Sequence, residues 1–416
     1  MQSKVIKSTL TKAVSLFLKN EVEKSFALID CIDLAKVSPK DRGGIHKVVM
    51  LQLIGTFYGA STLRELLAQL NVSSNNVSKI WRKVSHSQVK EMFNHVSRAV
   101  FKEAFLDISS KSASTQSRAE ITMVGDDTIV RTWLVDEKKN DFFAKFFSGQ
   151  THSTVYGFRV NLLGVVLNGT FYPLQFDLVR KSEKSSTIMN ESVKKVCDWI
   201  KGITASAGLE TPQLYASVDG GFTDMELLET FESNNVTPIM VPKNNNVVTH
   251  NGKSLNINDL KEREFKRQEA LFYENEKNKD LSFTLRLRVH LKAINREVTL
   301  LLFRLNRSEK ISAIFTTDKN IKSKTMRRHF FQRTQIEQFF RMIKHTLKLS
   351  QSKWENKEGF IKTISIFFLK ATFCFRFRNF CRKKFRKLKK WSFYRLQQAV
   401  IHQNVDRAFL TDFIEK

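Results

Sequence analysis

Three acidic residues stand where the sequence predicts two strand ends and a helix. Asp126 and Asp219 follow the apolar runs "EITMVG" and "QLYASV", and Glu337 lies in the amphipathic segment 329–347. In a sheet with helices on its faces, ligands gather at the carboxyl ends of the strands. Carboxylates that meet there repel one another unless a cation neutralises them, and Mg²⁺ prefers such oxygen ligands. The three acids are therefore candidate ligands of two Mg²⁺ ions that activate a nucleophile and stabilise the leaving oxygen of a phosphodiester.

Each acid also has an ordinary structural explanation. A lone Asp after a strand is commonly a turn former or a helix cap, and Asp219 stands before Gly-Gly. Asp127 is an alternative to Asp126 as the first ligand, and Asp224 is placed to cap the helix that follows. The prediction of one site depends on three acids that occur in order on strand, strand and helix.

The helix that carries Glu337 places this acid among basic residues. Its predicted buried stripe consists of Ile336, Phe339, Phe340, Ile343 and Leu347. A second line along the same helix consists of Phe330, Arg333, Glu337, Arg341 and Lys344. Two explanations of this second line are equally good when the helix is considered alone. One is a salt bridge between Arg333 and Glu337 on a solvated face, and the other is a binding site for an anion.

The charge balance of the chain favours a polyanionic partner. In 416 residues, 69 Lys and Arg stand against 41 Asp and Glu, which gives a net charge of +28. Such a surplus causes self-repulsion that a nucleic acid relieves, and we favour nucleic acid over an anionic membrane surface. An AT-rich genome would also enrich a sequence in Lys and Phe, so composition alone does not decide.

Other classes of site and location are disfavoured. The four cysteines have neither C-x2-C spacing nor a His at a zinc-site offset, so we expect buried thiols in a reducing compartment. No run of 18 apolar residues is present, and the first 25 residues are too polar for a signal peptide. We therefore expect a cytoplasmic protein without a membrane span.

Residues 1–115 have a helical pattern throughout. Within them, the segment 61–84 has two apolar helical runs on either side of a short turn at Asn71. This is the pattern of a helix-turn-helix that reads DNA, but any packed helical hairpin gives the same spacing.

A mixed α/β pattern follows. The predicted order is an apolar strand within 120–131 that runs into Asp126 and Asp127, hairpin 156–179 with its turn at Asn168-Gly169, helix 187–206, an apolar strand within 213–222 that stops at Asp219, helix 223–233 and strand 236–244. This order suits a mixed sheet with helices on both faces. Residues 243–320 begin with a polar loop region and continue with strand-like runs, which predicts a β-rich insertion. A long helix, 327–349, comes next, and the stretch 370–390 interleaves Lys and Arg with Phe.

With these elements in place, the chain resembles the DDE transposases of bacterial insertion sequences, in particular the insertion sequence four family. That family carries a Y-x2-R-x3-E-x6-K signature, and Phe330, Arg333, Glu337 and Lys344 match its spacing. The motifs "DDT" at Asp126 and "DGGF" at Asp219 also match. The resemblance covers about residues 120–350.

The resemblance implies a ribonuclease H-like core in which Asp126, Asp219 and Glu337 hold two Mg²⁺ ions, for which Mn²⁺ can substitute. It implies cut-and-paste transposition on double-stranded DNA, at the terminal inverted repeats of the element and at the target, by a synaptic homodimer. Phe330, Arg333, Arg341 and Lys344 would then contact DNA. We expect a helical DNA-binding domain at 1–115, the core at 116–242, the insertion at 243–320, the core helix at 321–350 and a basic helical region at 351–416.

Two departures from the family and two other functions remain open. Phe330 replaces the usual Tyr, and the insertion lacks the Trp on which some relatives stack a flipped base. Either a hairpin intermediate is not used, or one of several aromatic residues substitutes: Phe265, Phe272, Tyr273, Phe283 or Phe303. The alternative functions are a catalytically inactive, transposase-derived DNA-binding protein and a ribonuclease H-like DNA nuclease.

Overall fold

A computed structural model describes most of the central part of the chain. The described ranges are 84–113, 119–131, 141–148, 153–273, 283–304, 310–349 and 356–385, with isolated positions elsewhere. The chain divides into two compact units. The first consists of Met1–Ala104, Val130–Phe158 and Gln338–Lys416, and the second of Phe105–Ile129 and Arg159–Glu337. Asp126, Asp219 and Glu337 all belong to the second unit.

The strands form a mixed sheet. They are β1 (Glu120–Arg131), β2 (Phe143–Ser148), β3 (Ser153–Leu167), β4 (Thr170–Val179), β5 (Gln213–Val218), β6 (Val236–Met240), β7 (Val247–His250), β8 (Lys253–Asn256), β9 (Phe283–Leu291), β10 (Arg296–Arg304) and β11 (Ser312–Thr316). In the second unit β4 pairs with β3, and the order continues β3-β1-β5-β6-β11-β10-β9-β7-β8. Within the first unit, β2 pairs with the first residues of β3.

The predicted hairpin between β3 and β4 is confirmed. Its turn residues, Asn168 and Gly169, have φ angles of 49° and 72°. Positive φ at both central positions is what a tight two-residue hairpin turn requires, and Asn and Gly adopt it at low cost. The turn therefore fixes the register of two strands that are buried along most of their length.

The helices are α1 (His86–Ala113), α2 (Ser185–Ser206), α3 (Met225–Ser233), α4 (Ile257–Tyr273), α5 (Ser323–Gln332), α6 (Thr334–Arg341) and α7 (Lys357–Lys384). Predicted helices 187–206 and 223–233 are confirmed as α2 and α3. In the second unit, helices lie on both faces of the sheet, as predicted. Cys197 of α2 contacts Met123 of β1, whereas His329 of α5 contacts Thr122, the neighbouring residue of that strand. Successive residues of a strand point to opposite faces, so α2 and α5 lie on opposite sides.

The region 243–320 differs from the prediction by one helix. The sequence predicts a polar loop before the strands, but α4 occupies much of it. The side chain of Asn256 accepts a hydrogen bond from the backbone N–H of Asp259 at 2.7 Å, which caps the helix, and Ile257 and Leu260 are fully buried. The strands that follow extend the core sheet, because β11 pairs with β6 at Phe315 and Met240. The proposed domain boundaries remain predictions.

The single long helix predicted for 327–349 is wrong. The chain forms α5, breaks at Arg333, continues as α6 and ends in a π-helical turn at Met342–Thr346. At the break, the Thr334 hydroxyl donates to the Phe331 carbonyl at 2.8 Å, a local bond that competes with the helical ladder. The predicted buried stripe is confirmed by its members' exposure: Ile336 0%, Phe339 0%, Phe340 7%, Ile343 1% and Leu347 4%.

In the first unit, α7 carries the predicted mixture of Phe with Lys and Arg. Its rings pack inward, and those of Phe373 and Phe377 lie 5.1 and 5.0 Å from the ring of Phe17. The expectation that the cations face outward is wrong for Lys370, which is 2% exposed and whose pKa burial lowers to about 8. Arg382 and Lys384, near the end of the helix, are exposed.

The remaining predictions can be compared with the structure only where it describes the residues concerned. Most of the predicted helix-turn-helix at 61–84 lies outside the described residues. Cys197, Cys374 and Cys381 are buried free thiols, as predicted, and Cys31 lies outside the described part. Among the described residues, none of the helices has the length and apolar character that a membrane crossing requires.

Candidate active site

The register of two parallel strands brings Asp126 and Asp219 together. β1 and β5 pair from Glu120 and Gln213 to Gly125 and Val218. The sequence predicts that β1 ends at Asp126, but the strand continues to Arg131. What ends before Asp126 is its pairing with β5. Asp126 and Asp219 are thus the first residues beyond the paired segment, on neighbouring strands at the same edge.

The carboxylate of Asp219 is not used as a helix cap. Asp219 precedes a 3₁₀ turn, Gly220–Phe222, and its side chain makes no capping hydrogen bond. Asp224 does cap, because its Oδ1 accepts from the backbone N–H of Leu227 at 2.8 Å. The capping role therefore holds for Asp224. Asp219 begins a turn through its carbonyl, which accepts from the Phe222 N–H at 2.9 Å, and its carboxylate takes no part in that turn.

Arg333 connects Asp219 with Glu337. Its Nη1 lies 3.4 Å from Asp219 Oδ1, and its Nη2 lies 3.0 Å from Glu337 Oε1. The guanidinium is 19% exposed, whereas the two carboxylates are 51% and 43% exposed. A mostly buried guanidinium thus pairs with two acids, one that follows β5 and one on α6. Both carboxylates remain partly exposed to solvent.

Asp126 has a raised pKa. Burial, together with the negative charges of Asp127 and Asp219, raises the pKa to about 7, while Arg333 opposes the shift. Its Oδ1 accepts a hydrogen bond from the backbone N–H of Asp127 at 2.8 Å. The electrostatic coupling to both Asp219 and Arg333 places Asp126 in the same cluster as the Arg333-linked acids.

Asp127 has a different set of partners. The hydroxyl of Ser185, the first residue of α2, donates to Asp127 Oδ2 at 2.6 Å, and Arg159 Nε lies 3.8 Å from the same oxygen. Asn161 in turn donates to the Ser185 carbonyl at 2.9 Å. Asp127 therefore links β1, β3 and the start of α2. Sequence analysis missed Ser185 and Arg159, because nothing local in the sequence relates them to this strand.

A buried histidine fixes α5 against the sheet. His329 is 3% exposed, stacks on Tyr215 with ring centroids 3.7 Å apart, and pairs through Nδ1 with Thr122 Oγ1 at 2.6 Å. Arg328 approaches its Nε2 at 3.1 Å. Because a guanidinium only donates, Nε2 accepts and the proton is assigned to Nδ1, which donates to Thr122. Burial, together with the charge of Arg328, lowers the pKa of His329 to about 3. This neutral side chain lies one turn before Arg333.

The remaining predicted residues have separate surroundings. Phe330 packs edge-on against Phe303, and the Arg333 guanidinium lies 5.9 Å from the centre of the Phe330 ring. Arg341 is exposed and Lys344 is partly buried, and both belong to the first unit.

Of the aromatic residues considered for base stacking, Phe303 is excluded in this structure, since it is 2% exposed and covered by Phe330 and Phe331. The side chains of the other candidates lie outside the described part: Phe265, Phe272, Tyr273 and Phe283.

The acids offer the right donors for a divalent cation, although a guanidinium now lies between two of them. Among the described residues, no group of three or more His, Cys, Asp or Glu side chains has the spacing of a metal site. The donors of Asp126, Asp219 and Glu337 are carboxylate oxygens, which Mg²⁺ prefers. The pKa of Asp126 is raised first by burial and then by the charges of Asp127 and Asp219, and a divalent cation would neutralise these charges.

Fold and site together define the class of protein. The order β4-β3-β1-β5-β6, with β1, β5 and β6 parallel and acids at the edge, is consistent with a ribonuclease H-like nuclease core. Residues 132–369 match the family described as Transposase DDE domain. This match covers more than half of the chain, so the chain belongs to that family. The matched range includes Asp219 and Glu337, and Asp126 precedes it.

Two solved structures have a distant likeness to the chain. Endonuclease V of Ciona intestinalis, in complex with a 23mer DNA containing an inosine, has 12% identity and a TM-score of 0.26, with 50% of this chain and 75% of that chain covered. The NurA nuclease from Sulfolobus solfataricus has 10% identity and a TM-score of 0.22, with 57% and 86% covered. At these TM-scores, the likeness defines neither the fold nor the activity. Comparison with curated proteins found no match.

Proposed function

We propose that the protein is a DNA transposase of the insertion sequence four type, which cleaves DNA at the ends of a mobile element and joins the freed 3′-hydroxyl to target DNA. Membership of the transposase family supports this function. The observation that carries it is the cluster of Asp126, Asp219 and Glu337 around Arg333. Asp126 and Asp219 directly follow the paired segment of β1 and β5, and Glu337 lies on α6.

In this proposal the three acids hold divalent cations. Asp126, Asp219 and Glu337 would bind two Mg²⁺ ions, or Mn²⁺ in their place. When bound, such ions activate a water or a 3′-hydroxyl and stabilise the leaving oxygen of the phosphodiester. Asp127 is the less suitable first ligand, because Ser185 and Arg159 already engage the oxygen Oδ2. We assign to it the task of holding β1 and α2 so that Asp126 keeps its place.

Arg333 has two successive partners in this scheme. Without DNA its guanidinium neutralises Asp219 and Glu337. A guanidinium is also well suited to two oxygens of a phosphate, so the DNA backbone offers it a replacement anion. Transfer of Arg333 to phosphate would release carboxylate oxygens for the cations and position the scissile strand beside them.

The other signature residues extend the contact with DNA. Lys344 would bind a backbone phosphate as a point charge, and Arg341 would bind one through its guanidinium. Phe330 has no hydroxyl for phosphate, so its contribution is the packing that holds α5 against Phe303. We further propose terminal inverted repeats as the substrate, DNA recognition by residues 61–84 and synapsis by a homodimer.

A cleavage assay tests the proposal. Wild-type protein and Glu337→Ala are incubated with Mg²⁺ and a supercoiled plasmid that carries the DNA flanking this gene. We expect specific double-strand breaks at the flanks with wild type only, followed by joining to a second plasmid. Tight binding without cleavage by either protein, in Mg²⁺ or Mn²⁺, would support the inactive DNA-binding alternative. Cleavage without joining would support a nuclease.

A further inference from the structure

The helices on the two faces of the sheet in the second unit differ in charge. On one face, α3 has three acids and no Lys or Arg, and α2 mixes both signs. On the other face, α5 and the turn before it contain a series of cations: Lys319, Lys322, Lys324, Arg327 and Arg328. Asp318 precedes this series, Glu120 is paired with Arg328, and Glu297 of β10 lies 3.9 Å from the ammonium of Lys319.

The cations of α5 form a stripe that points outward. Lys324, Arg327 and Arg328 lie three or four residues apart, which places them on one side of the helix. Lys322, Lys324 and Arg328 are exposed, and Arg327 is half-buried. His329 and Met326 face the sheet and are buried, so the helix is held in place from its other side. The stripe is therefore a fixed array of charge and not a set of mobile tails.

Strand β9 continues the charged surface beside this helix. Arg286 and Arg288 alternate with residues of the opposite face and are exposed. The guanidinium of Arg286 donates to the carbonyl of Lys319 at 2.5 Å, which joins β9 to the turn before α5. Arg286 pairs in register with Leu301, which belongs to the same apolar cluster as Met326 of α5. The two arginines thus lie on the face of the sheet that carries α5.

One exposed aromatic residue follows the stripe. Phe331 is 36% exposed and stands one turn after Arg327. Its ring packs edge-on against Phe303 and Phe330, at centroid distances of 5.9 and 5.4 Å, so its orientation is fixed. An exposed ring among cations suits nucleic acid, because a ring can stack on a base while cations bind phosphates.

We propose that Arg286, Arg288, Lys322, Lys324, Arg327 and Arg328 form a binding track for the DNA backbone on the face of the sheet that carries α5. This inference rests on the proposed function and adds a contact with the substrate outside the cluster of acids. From Lys322 to Arg328 the helical chain rises by about 9 Å. Along a duplex, that length spans about three phosphates of one strand. The track therefore matches a short stretch of one strand, and Phe331 adds an apolar contact to that strand.

The experiment compares two pairs of lysines with the same change in net charge. Lys322→Glu with Lys324→Glu alters the track, and Lys194→Glu with Lys195→Glu alters exposed lysines of α2 on the opposite face. Binding of the full chain to a short fluorescent duplex of arbitrary sequence is measured over a series of salt concentrations. Neutral versions, with Gln at Lys322 and Lys324, and melting curves of every variant separate loss of binding from loss of folding.

We expect the track variant to lose affinity for the duplex by about tenfold or more. The slope of the logarithm of this affinity against the logarithm of the salt concentration should decrease by the amount that corresponds to about two phosphate contacts. The control pair should change both far less. Phe331→Ala should weaken binding without changing the salt slope, because it removes an apolar contact. Equal losses by both charge pairs, or none by the track pair, would overturn the track alone. Failure of the wild type to bind the duplex at any salt concentration would overturn the proposed function with it.

Discussion

The guanidinium of Arg333 lies 3.4 Å from the carboxylate of Asp219, a residue at the end of a strand. The same guanidinium pairs with Glu337 at 3.0 Å, so one cation of the chain lies between two acids. In the proposed site, metal ions and Arg333 would compete for these oxygens. DNA phosphates, which attract Arg333, should therefore favour metal binding.

The first prediction concerns this competition. Arg333→Gln should raise the affinity for Mn²⁺ severalfold in the absence of DNA, because each partly exposed ion pair that it removes is worth about 0.2–1 kcal/mol. The same change should weaken DNA binding and flatten its salt dependence. Titration of Mn²⁺ followed by electron paramagnetic resonance measures the affinity. Lys194→Gln serves as the control for charge, and an unchanged Mn²⁺ affinity in Arg333→Gln would refute the competition.

The second prediction separates the acids by function. Asp126→Ala, Asp219→Ala and Glu337→Ala should each abolish cleavage and leave duplex binding largely intact, because metal ligands act on the reacting bond and not on the rest of the DNA. Plasmid cleavage and duplex binding are measured on the same preparations. Retained cleavage in one variant would remove that residue from the site.

The third prediction distinguishes the neighbouring acids of β1. Asp127→Asn should lower the melting temperature, because it loses the ion pair with Arg159 and weakens the bond to Ser185. Part of its cleavage activity should persist, whereas Asp126→Asn should be inactive. If the result is reversed, with Asp127→Asn dead and Asp126→Asn active, Asp127 is the ligand. Equal melting temperatures of wild type and Asp127→Asn would refute its structural role.

The fourth prediction is a pH dependence of metal binding. The pKa of Asp126 is raised to about 7, chiefly by burial and then by Asp127, so near neutral pH a large fraction of this carboxyl is protonated in the metal-free protein. A metal needs the deprotonated form, hence Mn²⁺ affinity should rise from pH 6 to pH 8 with release of up to one proton. Calorimetry in buffers of different ionisation enthalpy counts the protons. Asp126→Asn should abolish this part of the release, and an unchanged proton count would contradict the assignment.

The fifth prediction concerns His329 and acid stability. Its pKa is about 3 in the folded protein, below the value of about 6.5 for an unfolded chain. The stabilisation that this neutral side chain gives is complete above pH 6.5 and is lost as the pH falls towards 3, because the unfolded chain then takes up the proton. His329→Gln should be less stable at pH 7 by about 1–3 kcal/mol, through the bonds to Thr122 and Arg328.

The slope of stability with pH provides the check on His329. Urea unfolding of His329→Gln should show a weaker loss of stability between pH 6.5 and pH 5 than wild type. Glu120 and Arg328 also face the His329 ring. The control is His345→Gln, which removes an exposed histidine and should leave the pH dependence of stability as in wild type. Identical slopes for wild type and His329→Gln would show that the ring does not stay neutral.

Local patterns were sufficient for much of the fold. Asn168-Gly169 predicts its hairpin because few other dipeptides accept two positive φ angles. Asp219 is predicted at the end of β5 because an apolar run stops there. The buried stripe around Ile336 follows from helical spacing. In each case the determining interaction lies within a few residues along the chain.

The features that the sequence does not predict depend mostly on contacts between residues that are far apart in the chain. The break at Arg333 is set by a hydroxyl that bonds its own turn, a choice that helical periodicity does not reveal. The sequence predicts a loop in place of helix α4 because the apolar residues of this segment are sparse, and burial of Ile257 and Leu260 compensates for this. The partners of Asp127 come from β3 and α2, and the burial of Lys370 depends on how α7 packs in its unit.

In the proposed function, Asp126, Asp219 and Glu337 support DNA cleavage by holding divalent cations. The most direct test replaces Asp219 with Cys and measures plasmid cleavage in Mg²⁺ and in Mn²⁺. A thiolate is a softer ligand than a carboxylate, and Mn²⁺ accepts it better than Mg²⁺ does. We predict that Asp219→Cys is inactive in Mg²⁺ and regains cleavage in Mn²⁺, whereas Asp219→Ala stays inactive in both. Full activity of Asp219→Cys in Mg²⁺, or no recovery in Mn²⁺, would contradict a metal at this carboxylate.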